Sequence, residues 1–238
     1  MKAIVVNEDK QHRLMWQQVP DPVPGPDEIL VDISATAVNR ADLLQRHGKY
    51  PPPPGAPTYM GLEMAGRVAE IGAVDTELRP GDRVCGLLSG GGYAERVAVH
   101  HKLLAPLPEG LSDQQAAAIP EAFYTAFVNL YLEASLSRGE TVLIHAGASG
   151  VGTAAIQLAR EDCQVLATAG SEEKLTCCRR LGAELAVNYR SDTGVGVADF
   201  AFPGPIYGQH IVVPVLILVV PRAHECSREA AVFVLGVG

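Results

Sequence analysis

A glycine-rich turn between a predicted strand and a predicted helix is the stretch of this sequence best suited to chemistry. Residues 141–146 form an apolar run of the length of a buried parallel strand, and residues 153–159 are rich in helix formers. Between them, residues 147–152 read GASGVG. Glycines let a pyrophosphate approach the backbone, and the start of the helix offers free N–H groups and a partial positive charge. This order of elements predicts a dinucleotide-binding site.

The turn matches the G-x-G-x-x-G template at its first and last positions only. Gly147 and Gly152 are glycines, and Ser149 replaces the middle one. An ordinary tight strand–helix turn is the simpler alternative, but the flanking strand and helix that the template requires are both present. The residues predicted to hold the pyrophosphate are Gly147, Ala148, Ser149, Gly150, Val151 and Gly152.

The next predicted strand ends in residues that favour NADP over NAD. Folds that prefer NAD place an Asp or Glu at this tip to bond the ribose 2′-hydroxyl. This chain has Gly170 and Ser171 there, and Lys174 follows. A small hydroxyl and a cation suit a 2′-phosphate, although a solvated helix charge is the alternative for the lysine. Glu172 and Glu173 would repel a phosphate unless they point to solvent, as we expect.

Three segments of the sequence resemble the zinc-free quinone oxidoreductases of the medium-chain dehydrogenase/reductase superfamily, in particular the stress-inducible NADPH:quinone reductase branch. They are GETVLIHAGASGVGTAAIQLA at residues 139–159, AVNRADL at residues 37–43 and AAAIPEA at residues 116–122. The resemblance extends over about residues 1–190.

The resemblance implies an α/β fold in two parts. A GroES-like β-barrel domain would occupy residues 1–115, without the C-terminal return that completes it in relatives. An incomplete Rossmann-type parallel sheet that binds NADP would occupy residues 116–190. The short apolar runs and Pro- and Gly-rich turns of the first 35 residues independently favour a β-rich start.

The resemblance also assigns roles to single residues. Asn39 and Tyr50 would face the nicotinamide and the substrate, and Thr125 would contact the cofactor. Lys174 and Tyr189 would bind the phosphate and adenine end of NADP. Structural alternatives remain for two of them: Tyr50 precedes four prolines of a surface loop, and a helical threonine is commonly packed or bonded to its own backbone.

Zinc-dependent members of the superfamily have a Cys at the position of Asn39 and a His at the position of Leu62. Neither residue of this chain is a zinc ligand, and the four-cysteine cluster of a structural zinc lobe is missing from the sequence. We therefore predict no metal and a reaction by hydride delivery alone.

Three further polar features are given structural roles. Glu63 is expected to be a buried acid bonded to backbone, with a polar wall of the cleft as the alternative. Asp42 and Arg46 can pair at i,i+4 on a helix surface. The three glycines at residues 90–92 are not followed by the Lys-Ser/Thr of a P-loop, and we expect a turn there.

The family pattern disappears from about residue 191, as in a C-terminally truncated or altered relative. Half of a doubly wound sheet would leave its first strand with an open apolar edge. One alternative places residues 215–220, which are β-branched and bounded by prolines, beside that strand as a surrogate. The favoured alternative is a disordered, atypical tail over residues 191–238.

Composition limits the partners. The 238 residues are 47% hydrophobic and 19% charged, and their net charge of −8 disfavours a nucleic-acid or anionic membrane surface. No apolar run has the length of a membrane span, and the first residues run into a strand without a signal peptide. The five cysteines lack C-x-x-C spacing, which favours a cytoplasmic location.

Two functions follow from these observations. The first is an NADPH-dependent oxidoreductase that reduces a small-molecule quinone or enone without a metal. The alternative is a catalytically inactive truncated isoform that binds nucleotide weakly or pairs with a full-length partner. A homodimer is compatible with either function if the tail permits it.

Overall fold

A computed structural model describes residues 1–7, 12–191, 216–220 and 231–234. The chain divides into two compact units, Met1–Glu121 and Ala122–Gly238. No helix among the described residues is long and apolar enough to span a bilayer.

The first unit is rich in antiparallel strands. Its elements are β1 (Lys2–Val6), β2 (Leu14–Gln18), β3 (Glu28–Thr36), α1 (Arg40–Arg46), β4 (Glu63–Ile71), β5 (Arg83–Leu87), β6 (Arg96–His100), a 3₁₀ turn (His101–Leu103), β7 (Leu104–Pro106) and α2 (Asp113–Ala116). Strands β1 and β2 pair with each other, and the other five form a sheet in the order β6-β3-β4-β5-β7. Aliphatic residues of these strands make a buried core: Ile29, Val31, Met64, Val68, Val84, Val97 and Val99.

The second unit contains a sheet with helices. A π-helical segment (Pro120–Tyr124) spans the boundary between the two units. The elements that follow it are α3 (Thr125–Phe127), a second π-helical segment (Val128–Glu133), β8 (Thr141–Ile144), α4 (Gly150–Ala159), β9 (Gln164–Ala169), α5 (Glu172–Leu181), β10 (Leu185–Asn188), β11 (Leu216–Val220) and β12 (Ala231–Val234). The strand order is β10-β9-β8-β11-β12, and β8, β9 and β10 are parallel. The mixed α/β class with a partial Rossmann-type parallel sheet is therefore confirmed.

Small side chains bring α4 close to this sheet. Ala154, Ala155 and Ala159 are fully buried and pack in one core with Val142 and Val165 of the strands. Because alanine adds little bulk, the helix axis can approach the strands closely. This packing fixes the start of α4 at the end of β8.

The helical region before β8 is not a regular α-helix. Ser112 caps α2 by accepting from the Gln115 backbone N at 3.2 Å, as its residue type predicts. From Pro120 onward the chain follows wide π-helical turns on either side of a short α-helical turn. A proline lacks the N–H that continues an α-helical ladder, and π-type turns re-pair the backbone after such a break.

Leu216–Val220 lies beside the first parallel strand. It pairs antiparallel with β8, with Ile217 opposite Ile144 and Leu218 opposite Leu143. This is the surrogate-strand alternative, and Ala231–Val234 (β12) pairs antiparallel with β11 in turn. Both segments differ from the favoured disordered tail. The predicted disorder of residues 192–215, 221–230 and 235–238 lies outside the described residues.

Candidate functional site

The glycine turn is anchored to the sheet at one end and to α4 at the other. The Gly147 backbone N donates to the carbonyl of Thr168 on β9 at 2.9 Å. Ser149 precedes α4 in an extended conformation, and its Oγ accepts from the Gly152 backbone N at 3.0 Å. The serine that departs from the glycine template therefore acts as the N-cap of the helix.

The three glycines of the turn meet different surroundings. A Cβ on Gly152 would lie 2.4 Å from the carbonyl oxygen of Ala146, and a Cβ on Gly147 would lie 2.9 Å from Cys178 Sγ. A Cβ on Gly150 would have no heavy atom within 4 Å. Gly152 is thus required for the turn to pack on itself, and Gly147 for the turn to pack against α5 and β9. Gly150 leaves an open surface at the start of the helix.

At this open surface, the first N–H groups of α4 have no hydrogen-bond partner among the residues that the structure describes. The Thr153 N–H bonds to the Ser149 carbonyl, and the Gly152 N–H bonds to the Ser149 hydroxyl. Gly150 and Val151 come earlier, where an α-helix provides no carbonyl partner. The helix dipole adds partial positive charge at the same place. These groups fit a diphosphate, and all six residues predicted to bind it belong to this turn.

The tip of β9 is occupied by residues that follow β10. A Cβ on Gly170 would lie 2.6 Å from the Tyr189 hydroxyl oxygen and 3.1 Å from Arg190 Nε. The Arg190 guanidinium carbon lies 5.8 Å from the centroid of the Tyr189 ring. Gly170 and Tyr189 were predicted and lie together. Arg190 was missed, although a cation directly after Tyr189 in the sequence was the available signal.

The remaining residues at this tip lie at the start of α5. Ser171 takes the N-cap position, and Lys174 is exposed in the first turn. Glu172 and Glu173 are also exposed, as predicted, and Glu172 pairs with Arg179 at 2.7 Å. That ion pair weakens the repulsion that Glu172 would exert on a phosphate.

Thr125 opens α3, which packs against α4. Its carbonyl accepts from Asn129 Nδ2 at 2.7 Å, and its side chain is half-buried. The contact of its hydroxyl with a cofactor stays a prediction.

A second polar centre lies in the first unit, around Glu63. The Glu63 side chain is only 2% exposed. Its Oε1 accepts from Asn39 Nδ2 at 2.8 Å, and its Oε2 accepts from the Glu121 backbone N at 2.9 Å. The expected backbone bond is present, and the bond to the predicted site residue Asn39 adds to it.

Asp42 is the second buried acid of this centre. It is 2% exposed and accepts from the Asn39 backbone N at 2.7 Å, the Gly61 backbone N at 3.2 Å and the Tyr93 hydroxyl at 2.9 Å. The predicted surface pair with Arg46 is therefore wrong. Asp42 faces three donors inside the unit, and Arg46 Nε instead donates to the His12 carbonyl at 2.9 Å.

The acids of this centre are buried close together, and this raises the pKa values of Glu63 and Glu121. Burial raises the pKa of Glu63, the bonds from Asn39 and Glu121 oppose this, and the Asp42 charge adds to it. The pKa of Glu121 is raised by burial and by the charges of Glu63 and Asp42. Burial, and then the bond to Asp42, raises the pKa of Tyr93 far above its usual range. Across the described part of the chain, no group of three or more His, Cys, Asp or Glu side chains is arranged to hold a metal ion.

Two other sequence features lie outside this centre. Tyr50 is half-buried in the turn that follows α1, and among the described contacts no hydrogen bond joins it to Asn39 or Glu63. In the glycine-rich turn, the N–H groups of Gly91 and Gly92 donate to the carbonyls of Tyr59 and Gly61. These two N–H groups are therefore engaged within the fold, in line with the rejection of a P-loop.

Comparison with known proteins gives the following similarities. Residues 25–109 match the alcohol dehydrogenase GroES-like domain. Quinone oxidoreductase-like protein 2 of Mus musculus is 36% identical over 190 residues, which is 79% of this chain and 54% of that protein. A mycocerosic acid synthase-like polyketide synthase of Mycobacterium tuberculosis is 41% identical over 169 residues, which is 71% of this chain but 8% of that protein.

A similar solved structure is the quinone oxidoreductase from Thermus thermophilus, whose crystal structures include a complex with NADPH. It superposes with a TM-score of 0.67 at 39% identity, over 80% of this chain and 60% of that one. This chain thus spans little more than half of the quinone oxidoreductases that it matches, and a small fraction of the polyketide synthase.

Proposed function

This chain belongs to the medium-chain dehydrogenase/reductase superfamily, and on that premise we propose that it binds NADPH and transfers hydride to a quinone or a related conjugated carbonyl compound. The observation that carries the proposal is the turn of residues 147–152, where Gly150 leaves the start of α4 open. The N–H groups of Gly150 and Val151 would bond the diphosphate of the cofactor.

The tip of β9 supports NADPH rather than NADH. An acidic side chain at Gly170 would collide with the Tyr189 hydroxyl and Arg190 Nε. Arg190 and Lys174 would instead supply two cations for a 2′-phosphate, and Tyr189 would contact the adenine end. Ser171 adds a hydroxyl at the same tip.

Asn39 and Tyr50 would orient the nicotinamide and the substrate in this proposal. Bound NADPH would supply the hydride, and a quinone accepts it without a strong protein acid because a solvent proton can follow. We propose no metal in the reaction, since the Asn39 amide and the buried aliphatic Leu62 stand where a zinc site would need ligands.

The direct test is the oxidation of NADPH by the purified full chain in the presence of a benzoquinone, followed by the loss of reduced nicotinamide absorbance. We expect turnover with NADPH, weaker turnover with NADH and no change after treatment with a chelator. Absence of turnover with both quinones and enones would contradict the proposed reaction, and inhibition by the chelator would contradict its metal-free form.

One observation favours a second candidate, nucleotide binding without turnover. In a doubly wound sheet, the dinucleotide lies across the point where a second parallel half begins beside the first strand. In this chain that neighbour is β11, which runs antiparallel to β8. The diphosphate and adenine parts of the site would remain, whereas the part that holds the nicotinamide would change. NADPH binding without turnover would support this candidate. The candidate includes the case in which the chain acts by pairing with a full-length partner.

A further inference from the structure

Strand β2 carries three consecutive exposed apolar side chains and has a neighbouring strand on one side only. Leu14, Met15 and Trp16 are 44%, 39% and 50% exposed, and Trp16 is the single tryptophan of the sequence. Among the described residues β2 pairs with β1 alone, which leaves its other edge open. We propose that this open edge pairs with β2 of a second copy of the chain, so that the protein forms a dimer.

The hydrogen bonds of β1 show which backbone groups of β2 point outward. The Ile4 N–H donates to the Tyr93 carbonyl at 2.7 Å and therefore points away from β2. Ile4 lies opposite Trp16, and the two residues of a non-bonded antiparallel pair direct their backbone groups away from each other. The N–H and C=O of Trp16 thus point outward. Leu14 and Gln18 do the same, because the pattern repeats at every second residue.

The two ends of the β1–β2 ribbon show the same alternation. The Asn7 N–H donates to the Arg13 carbonyl at 2.8 Å, and the Val19 N–H donates to the Met1 carbonyl at 2.9 Å. The odd-numbered residues between Arg13 and Val19 therefore bond to β1. The even-numbered residues form the open edge, and their backbone groups need a partner from outside the ribbon.

A second copy of β2 fits this edge because the strand is complementary to itself. With two antiparallel copies and Trp16 opposite its counterpart, Leu14 lies opposite Gln18, and every outward N–H and C=O obtains a partner. None of the five residues of β2 is charged or a proline, whereas edge strands that avoid such pairing commonly carry one of these. Beyond the strand ends Arg13 would lie opposite Val19, so like charges do not meet.

The side chains agree with this register. Leu14 and Trp16 lie opposite Val6 and Ile4 of β1, and alternation along the strands places these four side chains on one face of the ribbon. Pairing of two copies would join the two apolar faces into one strip with both Trp16 rings at its centre. Aromatic pairs across neighbouring strands stabilise a sheet. The apolar face and the open edge therefore select the same partner.

The first test is sedimentation velocity of the full chain over a range of concentrations, for the native sequence, Trp16→Lys and Leu132→Lys. Leu132 is 63% exposed in the second unit and is the control for loss of an exposed apolar side chain. We expect the native chain and Leu132→Lys to dimerise with the same dissociation constant, and Trp16→Lys to associate about 100-fold more weakly. A native chain that stays monomeric, or a Trp16→Lys variant that dimerises as tightly as the native chain, would overturn the inference.

Hydrogen exchange of the native chain requires no variant to fold. The N–H groups of Leu14, Trp16 and Gln18 should exchange fast in dilute solution and slowly at concentrations where the dimer forms. Those of Met15 and Gln17 should be protected at both concentrations, because they bond to β1. Equal exchange of the even-numbered N–H groups at both concentrations would overturn the inference. The inference does not rest on the proposed function, so failure to oxidise NADPH would leave these results unchanged.

Discussion

In the first unit, carboxylates of Asp42 and Glu63 are buried and take up donors from Asn39, Tyr93 and the backbone. In the second unit, three of the six residues in the turn 147–152 are glycines, and the backbone at the start of α4 remains open. One polar centre is closed by its own hydrogen bonds. The other is built from the backbone and is left with capacity for an anion.

This difference separates two roles of polar groups. Buried acids that are satisfied from within fix local geometry, and removal of one partner leaves the others without a bond in a place that water does not reach. An open helix start contributes less to folding, but it binds an anion without first breaking an internal contact. We therefore expect changes in the centre around Asp42 and Glu63 to reduce stability. Changes on the open surface of the turn, at Gly150, should alter nucleotide affinity alone, whereas Gly152 also packs the turn.

The largest effect is expected from Gly152→Val. Its Cβ would lie 2.4 Å from the Ala146 carbonyl oxygen and 2.8 Å from the Gly147 carbonyl carbon, and backbone atoms cannot move aside easily. We expect a loss of about 3 kcal/mol or more in the free energy of unfolding and loss of NADPH binding. Urea denaturation and calorimetric titration measure the two quantities.

Gly150→Ala is the matched control for that variant. A Cβ at Gly150 meets no heavy atom within 4 Å, so the fold should keep its stability while a bound diphosphate is crowded. Equal stability of Gly152→Val and Gly150→Ala would contradict the packing role of Gly152. Unchanged NADPH affinity in both variants would contradict the nucleotide role of the turn.

Asp42→Ala tests the closed centre. The backbone N–H groups of Asn39 and Gly61 and the Tyr93 hydroxyl would lose their acceptor. We expect a loss of about 3 kcal/mol in the free energy of unfolding, and about 1 kcal/mol for Tyr93→Phe, which removes only one of the three bonds. The affinity for 2′,5′-ADP should remain native in every folded variant. A weaker affinity in either folded variant would show that the two centres are not separable.

Arg190→Gln tests the charge at the tip of β9. Removal of the cation beside Tyr189 should lower the affinity for 2′,5′-ADP about tenfold, or about 1.4 kcal/mol, and leave the affinity for 5′-ADP unchanged. Arg180→Gln removes an exposed charge from α5 and is the control. If the two variants bind 2′,5′-ADP equally, Arg190 has no special role in phosphate binding.

The smallest effect concerns Glu121. Its pKa is raised above the usual value of 4.5, so its native form binds a proton more tightly than its unfolded form. The stability that this proton contributes is present below the unfolded pKa and is lost as the pH rises through the raised value. Glu121→Gln should therefore be more stable than the native chain at mildly alkaline pH, by at most about 1 kcal/mol. The two proteins should converge at acid pH, and a constant difference across the pH range would contradict this assignment.

Local pattern was sufficient to predict the open centre. The order of β8, turn and α4 is encoded in consecutive residues. The atoms that exclude a side chain at Gly152 belong to Ala146 and Gly147, close by in the sequence. The closed centre joins residues that are far apart in sequence: Tyr93 is 51 residues from Asp42, and Glu121 is 58 residues from Glu63. Helix periodicity correctly placed Asp42 one turn from Arg46, but it gave no information on the donors supplied by other elements.

The same distinction between local and long-range contacts explains what could be predicted of the adenine end of the site and of the tail. Arg190 follows Tyr189 directly, but its proximity to Gly170 depends on how β10 returns beside β9. The β propensity of residues 215–220 indicated a strand, whereas the antiparallel direction of β11 depends on the path of the chain between β10 and β11.

The most direct test of this account is an NADPH titration of the ¹⁵N-labelled full chain. The backbone amide signals of Gly150 and Val151 should shift in proportion to the bound fraction, and the signal of Gly152, which is already bonded to Ser149, should move less. If NADPH binds while the Gly150 and Val151 signals remain in place, or if no signal shifts at saturating NADPH, the start of α4 is not the diphosphate site.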